Sequence, residues 1–168
     1  LISSHYQTGE PLPTSLLDKM LGAKNFQSAM QMVRQLEFAL FDILVHRDVS
    51  GQPVGGCVDG IEKTLQLVRN KVAAYPVPEY NRFANSFSHI FAGGYAAGYY
   101  SYKWAEVLSA DAFSLFEERG IFDAETGRQF YKQVLSRGGS EEPAALFENF
   151  RGRKPDTEAL LRHSGIVS

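Results

Sequence analysis

The chain has 168 residues, of which 44% are apolar and 21% are charged, as in an average soluble globular domain. Its net charge of −2 leaves no electrostatic footprint for nucleic acid or for an anionic membrane, which argues against both partners. The single cysteine, Cys57, cannot form an internal disulfide and favours a reducing compartment such as the cytoplasm. Because the sequence opens without a signal peptide or an initiator methionine, we interpret it as a fragment or a processed product.

Helical spacing dominates the first part of the chain. A short helix is predicted at Ser15–Lys24. Apolar residues three or four positions apart then predict a long helix over residues 26–48, with Asn25 as its cap. This helix becomes apolar on nearly all sides around residues 38–41, so we expect deep burial there.

A proline-rich connector follows the next predicted helix. The apolar spacing of Val58–Val72 is typical of an amphipathic helix that ends before Pro76 and Pro78. The residues YPVPEYNRF are predicted to form an extended connector. Helical spacing resumes after a group of glycines and reaches about Arg119, with Gly120 as the stop.

Three shorter helices are predicted in the last part of the chain. One reaches about Leu135, one has Pro143 in its first turn, and one is closed by Gly165. Their predicted caps are Asp123, Ser140 and Asp156. Because no segment shows sustained period-two alternation, the predicted fold class is all-α, in a single domain over residues 1–168.

Residues 83–102 lack Asp, Glu, Lys and Arg and are long enough to cross a bilayer. The stretch also contains asparagine, histidine and four tyrosines, whose polar groups would be costly in hydrocarbon. We therefore predict a buried segment that lines a polar cavity, and no membrane span.

The stretch FAGGYAAGYYSYKW gathers phenols beside a histidine. If it is helical, Tyr95, Tyr99 and Tyr102 share one face and Tyr100 points elsewhere. A phenol is a neutral donor at pH 7, so these groups and His89 could hold a peptide carbonyl and then an oxyanion. The same tyrosines could instead be core aromatics with satisfied hydroxyls.

Glycines interrupt this stretch. In a helix interior, Gly94 and Gly98 would each cost about 1 kcal/mol relative to alanine. Either the close approach of another backbone or a mobile turn that closes over a ligand would explain them.

The same stretch resembles the C-terminal region of the M3 family of zinc oligopeptidases. The shared pattern is His-x-x-x-Gly-Gly-Tyr-x-x-x-Tyr-Tyr-x-Tyr, which here consists of His89, Gly93, Gly94, Tyr95, Tyr99, Tyr100 and Tyr102. The blocks TGEPLP, RQLEFALFD and LLRHSGI are also similar to this family, so the resemblance covers essentially the whole chain.

The resemblance implies hydrolysis of short peptides by an almost wholly helical, zincin-type enzyme with a deep channel. It implies that His89, Tyr95 and Tyr102 bind substrate and stabilise the tetrahedral intermediate. Tyr99 would stand on the same wall of the cleft, where Gly93 and Gly94 would contribute to substrate binding. The partners would be short peptides and the remaining N-terminal part of the same enzyme.

The resemblance also implies that this chain is the C-terminal part of a catalytic domain. The family's zinc ligands, a His-Glu-x-x-His helix and a further Glu, would lie upstream of Leu1. No such motif and no CxxC occurs here, so we predict no metal site in this chain. We expect the isolated piece to bind no zinc, to cleave nothing and, with its cleft-facing surface uncovered, to self-associate.

A non-enzymatic alternative is a helical interaction module that docks a partner through the tyrosine face. A cleft lined by the phenols favours the peptidase, whereas a flat face packed by Leu and Phe favours the module. Outside this stretch, His46 is predicted to be structural at a helix C-terminus. The basic residues Arg151, Arg153 and Lys154 are predicted to lie on a solvated loop, where a peptide carboxylate is a conceivable partner.

Overall fold

The computed structural model describes residues 4–47 and 58–167, and Asp48 and Cys57 lie outside the described residues. Within those ranges the chain is helical and contains no strand, which confirms the all-α class. The helices are α1 (Thr14–Lys24), α2 (Ser28–His46), α3 (Val58–Val72), α4 (Phe83–Ser86), α5 (Ser88–Phe91), α6 (Ser101–Arg119), α7 (Ala124–Phe130), α8 (Pro143–Arg151) and α9 (Glu158–His163).

The long helices agree closely with the predicted spans. α3 covers the apolar repeat from Val58 to Val72 and ends before Pro76 as predicted, and α1 begins one residue before the predicted start. α2 begins later than predicted because Gln27, the residue that precedes it, has a left-handed φ of 55°. Asn25 is therefore not its cap. Gly120, with φ at 118°, ends α6 as predicted.

The C-terminal caps agree only in part. The Asp123 carboxylate accepts a hydrogen bond from the Thr126 amide at 2.7 Å, which confirms it as the cap of α7. A π-helical turn, Tyr131–Leu135, extends this helix to the predicted end. The Ser140 cap is wrong. Glu142 precedes α8, because the fixed φ and missing N–H of Pro143 suit the first helical position.

The last helix begins one residue later than its predicted cap requires. Thr157 occupies the capping position of α9, although the Asp156 carboxylate does accept a hydrogen bond from the Glu158 amide at 3.0 Å. Gly165, with φ at 65°, follows the helix as predicted.

An aromatic core joins α2, α3 and the two short helices α4 and α5. Phe41 is fully buried, and Phe38 stacks on Phe83 with ring centroids 4.8 Å apart. The buried members of this core are Phe41, Val45, Leu65, Val68, Ala84, Phe87 and Ile90. Leu40 is exposed, so the predicted burial on all sides of α2 is wrong at this residue.

The connector and the segment after it differ from the predictions. Residues 83–91 form α4 and α5, two single-turn helices that the sequence did not predict. Phe83, Ala84 and Ile90 of these helices pack in or against the core, whereas residues 91–97 are exposed. The predicted buried segment is therefore only half correct. Along the described ranges, no helix is both long enough and apolar enough to cross a bilayer.

A buried carboxylate holds α6 against the C-terminal segment. Asp111 is fully buried and accepts hydrogen bonds from both Arg151, at 3.2 Å, and Arg153, at 2.6 and 2.7 Å. The Asp156 amide adds a further bond at 3.0 Å. The predicted solvated basic loop is therefore wrong for Arg151, which is the last residue of α8 and is largely buried beside Asp111. Arg153 is exposed on the loop after α8, as predicted, although it also pairs with Asp111. Lys154 is exposed, as predicted.

Candidate active site: a histidine and tyrosine cluster before α6

The chain turns sharply between α5 and α6. Residues 92–100 are not helical, so the predicted helical face is wrong, and only Tyr102 of the three phenols stands on a helix. A Cβ atom on Gly93 would lie 2.9 Å from the His89 carbonyl oxygen, a distance that real Cβ atoms do not adopt. Gly94 has a φ of 80°. The close approach of the His89 backbone explains Gly93, and a left-handed turn explains Gly94. Gly98 has neither a positive φ nor a contact closer than 3.4 Å, so close backbone approach does not explain it.

The turns nevertheless bring the predicted side chains together. The rings of Tyr95 and Tyr102 stack with centroids 5.7 Å apart, and Tyr99 meets Tyr102 edge-on at 5.1 Å. His89 lies 6.3 Å from Tyr95 and 6.2 Å from Tyr99, centroid to centroid. We call these four residues the phenol cluster. Tyr100 takes part in none of these ring contacts and is exposed.

The members of the phenol cluster differ in exposure. Tyr95 and Tyr102 are 43% and 42% exposed, and His89 is also exposed. Tyr99 is half-buried against the aromatic core, where its ring lies 5.2 Å from that of Phe87. The core-aromatic alternative therefore describes Tyr99, whereas the other two phenols face solvent and are open to a ligand.

The local environment favours the protonated form of two of the phenols, Tyr99 and Tyr102. Hydrogen bonding with the Tyr95 side chain, followed by partial burial, raises the pKa of Tyr102 above its ordinary value. Burial raises the pKa of Tyr99 as well, against the opposing effect of the Arg34 charge. Both groups are consequently neutral hydrogen-bond donors at neutral pH, which is the form that can donate to a carbonyl oxygen or an oxyanion.

Two residues of α2 hold the turns in place, and the sequence analysis did not single out either. The buried Asp42 carboxylate accepts hydrogen bonds from the Ala97 and Tyr99 amides, each at 2.8 Å. The Tyr99 hydroxyl donates to Gln35 Oε1 at 3.1 Å. The available signal was the position of Asp42 inside the apolar run FALFDILV, since a charged residue there must find buried partners.

His46 completes the surroundings of Asp42. Its Nδ1 atom lies 2.9 Å from the Asp42 carbonyl oxygen and 2.9 Å from the Asp42 carboxylate. Both neighbours are acceptors, so Nδ1 carries a proton. The predicted structural role of His46 agrees with these contacts.

The phenol cluster provides hydrogen-bond donors and an aromatic surface. In the part of the chain that the structure describes, no three His, Cys, Asp or Glu side chains are grouped as metal ligands. Exposed phenols beside an imidazole suit the binding of a peptide carbonyl, whose oxygen accepts from more than one donor.

Comparison with known proteins defines the class. Residues 1–166 match the family described as Peptidase family M3, and the chain belongs to that family. It is 59% identical over 165 residues to oligopeptidase A of Escherichia coli and 55% identical over 167 residues to oligopeptidase A of Haemophilus influenzae. It is also 47% identical over 171 residues to a probable cytosolic oligopeptidase A of Arabidopsis thaliana.

These relatives are much longer than the chain. The three matches cover 98% or 99% of this chain but only 24% of each relative. The chain therefore spans about a quarter of the length of the relatives it matches.

Proposed function

We propose that this chain is the C-terminal part of a zinc metallo-oligopeptidase that hydrolyses short peptides, and that the phenol cluster binds the scissile carbonyl. Membership of Peptidase family M3 and the relatives called oligopeptidase A support the activity. The main observation in support of carbonyl binding at this site is the pair of exposed, stacked rings of Tyr95 and Tyr102 beside His89.

Each residue of the phenol cluster has a proposed task. Tyr102 and Tyr95 donate hydrogen bonds to the substrate carbonyl oxygen, and these bonds strengthen as negative charge develops on it. His89 is a further donor to the substrate. Tyr99 lines the same wall and supports the Tyr102 ring, while Gly93 and Gly94 let the backbone pass close to the peptide.

The zinc ion belongs to the proposal for the longer protein. Its ligands would come from the N-terminal remainder, and the ion would supply Lewis-acid polarisation and an activated water. This chain would contribute binding and orientation of the peptide. By itself it is proposed to be inactive.

A cytoplasmic location is part of the same proposal. The lone cysteine suits a reducing compartment, and one of the relatives is named as probably cytosolic.

The interaction-module alternative is less well supported. Polar groups, His89 and Gln35, accompany the tyrosines, whereas a docking face would surround them with leucine and phenylalanine. The phenylalanines near this site lie beneath Tyr99, on the core side.

The experiment is Tyr102→Phe in the full-length protein, with kcat and KM measured on a short internally quenched peptide. Loss of one oxyanion donor lowers kcat on the order of 10²–10³-fold and leaves KM nearly unchanged. Tyr100→Phe is the matched control and should be mild, because its hydroxyl lies outside the phenol cluster. A rise in KM alone would make Tyr102 a ground-state binder, and full activity would remove it from the reaction.

A further inference from the structure

Asp42 uses both carboxylate oxygens to hold the turns that carry the phenols. Oδ1 accepts from the Ala97 amide and Oδ2 accepts from the Tyr99 amide, each at 2.8 Å. The side chain is fully buried, and charge-assisted bonds of this kind are stronger than neutral ones. The two amides are 55 and 57 residues away in sequence, so one carboxylate joins α2 to the turns before α6.

The Ala97 contact has a particular conformational role. Ala97 has a φ of 54°, a left-handed conformation that L-residues with a Cβ atom rarely adopt. In this conformation its amide donates a hydrogen bond to Asp42 Oδ1 at 2.8 Å. The hydrogen bond therefore offsets backbone strain at the point where the chain reverses toward Tyr99.

Tyr99 links Asp42 to the exposed phenols. Its amide is held by Asp42, and its ring meets Tyr102 edge-on at 5.1 Å. Tyr102 in turn stacks on Tyr95. Asp42 thus fixes the backbone from which the phenol cluster is built.

We propose that Asp42 is a positioning residue for the phenol cluster: it holds Ala97 left-handed and sets the distance between the phenols that receive the substrate carbonyl. This inference rests on the proposed peptidase function for its catalytic consequence. Its structural consequence is independent of that function. Asparagine at this position has one acceptor oxygen, so its amide group would face one of the two N–H donors.

The test is Asp42→Asn in the full-length protein. Because displacement of reacting groups by about 1 Å can cost 10²-fold, kcat should fall on the order of 10²-fold, with KM changed by only a few-fold. Asp111→Asn is the matched control, since Asp111 is equally buried and also accepts from a backbone amide, but it lies further along α6 and holds the C-terminal segment. It should lower the thermal midpoint and leave kcat of the folded enzyme unchanged.

A rescue variant separates positioning from general loss of stability. Glycine adopts left-handed conformations freely, so adding Ala97→Gly to Asp42→Asn should recover kcat at least threefold. Tyrosine ring signals in NMR spectra provide a readout besides activity. Asp42→Asn should shift those of Tyr95 and Tyr102, and Asp111→Asn should not.

The outcomes distinguish the two proposals. Wild-type protein that hydrolyses no peptide would overturn the proposed function, while the tyrosine signals still decide the positioning role. Active wild type with unchanged kcat in Asp42→Asn would overturn the positioning role alone. Equal losses of kcat in the two asparagine variants, no recovery with Ala97→Gly, or unmoved tyrosine signals would overturn it too.

Discussion

The Tyr99 hydroxyl donates a hydrogen bond to Gln35 Oε1 across 3.1 Å, so a residue of α2 sets the direction of a ring in the phenol cluster. The Tyr99 amide is held by Asp42, from the same helix. The ring is thus fixed at both ends by α2, which explains how a residue in non-helical turns can present a defined edge to Tyr102.

The first prediction concerns this pair. Gln35→Met and Tyr99→Phe each remove the hydrogen bond and should lower kcat/KM of the full-length enzyme several-fold, up to about tenfold, the effect of one neutral hydrogen bond. The double variant should be no worse than Tyr99→Phe alone, because the second change removes a partner already lost. Gln31→Met, one turn earlier on α2 and exposed, is the control. Losses that simply multiply in the double variant would refute the coupling.

The second prediction separates two glycines of the turns. A Cβ atom at Gly93 would meet the His89 carbonyl oxygen at 2.9 Å, so Gly93→Ala must displace the turn that carries Tyr95. We expect kcat/KM to fall on the order of tenfold or more. At Gly98 the nearest atom, the Tyr95 carbonyl oxygen, lies at 3.4 Å, and Gly98→Ala should be tolerated. A strong loss in Gly98→Ala would instead indicate that this residue moves during turnover.

The third prediction concerns the pH dependence of stability. Burial by itself raises the pKa of Asp111, but hydrogen bonds from Arg153, the Asp156 amide and Arg151 outweigh it, so its pKa lies below the ordinary 3.8. A lowered pKa in the folded state stabilises the protein above about pH 3.8, and this stabilisation is lost as the pH falls through the folded-state pKa.

Asp111→Asn should therefore lower the free energy of unfolding at pH 7 by about 3–5 kcal/mol, as expected for a broken buried ion pair. Urea midpoints measured between pH 7 and pH 3 should show the gap to wild type narrowing below pH 3.8. Glu118→Gln is the control, because Glu118 is an exposed partner of Arg151 and such pairs contribute about 0–1 kcal/mol. A gap that stays constant with pH would argue against a charge effect.

The fourth prediction concerns residues 1–168 produced alone. We expect less than stoichiometric zinc by metal analysis and no cleavage of the quenched peptide, because the proposed zinc ligands come from the remainder of the enzyme. Exposed apolar side chains such as Phe26 and Phe122, 71% and 98% exposed, should drive self-association. A one-to-one zinc content would contradict the first part, and a monomer at high concentration in size-exclusion chromatography would contradict the second.

Local signals in the sequence predicted the helices well where those signals are strong. α3 lies where it was predicted, because its apolar positions repeat three and four apart from Val58 to Val72. Gly120 and Asp123 were predicted because a left-handed stop and a side-chain cap depend on neighbouring residues only. Asn25 and Ser140 failed as caps because Gln27 and Glu142 occupy those positions, and neither is a favoured capping residue.

The membership of the phenol cluster was predictable, but its construction was not. Tyr95, Tyr99 and Tyr102 do meet, yet through turns and not on one helical face. A left-handed alanine has no sequence signature, and the carboxylate that holds Ala97 comes from 55 residues away. The only sequence signal of such a long-range hydrogen bond is a charged residue within an apolar run.

α6 carries Tyr102 in its first turn and Asp111 further along, where the arginines of the C-terminal segment hold it. Each residue of an α-helix advances about 1.5 Å, so a slide of α6 along its axis by a single residue would carry one phenol that far past its stacked neighbour. The distance between the Tyr95 and Tyr102 rings therefore depends on the position of α6 along its axis. The turns tied to α2 through Asp42 oppose such a slide beside Tyr102, so loss of the Asp111 contacts further along α6 costs stability and leaves the stacked rings in place.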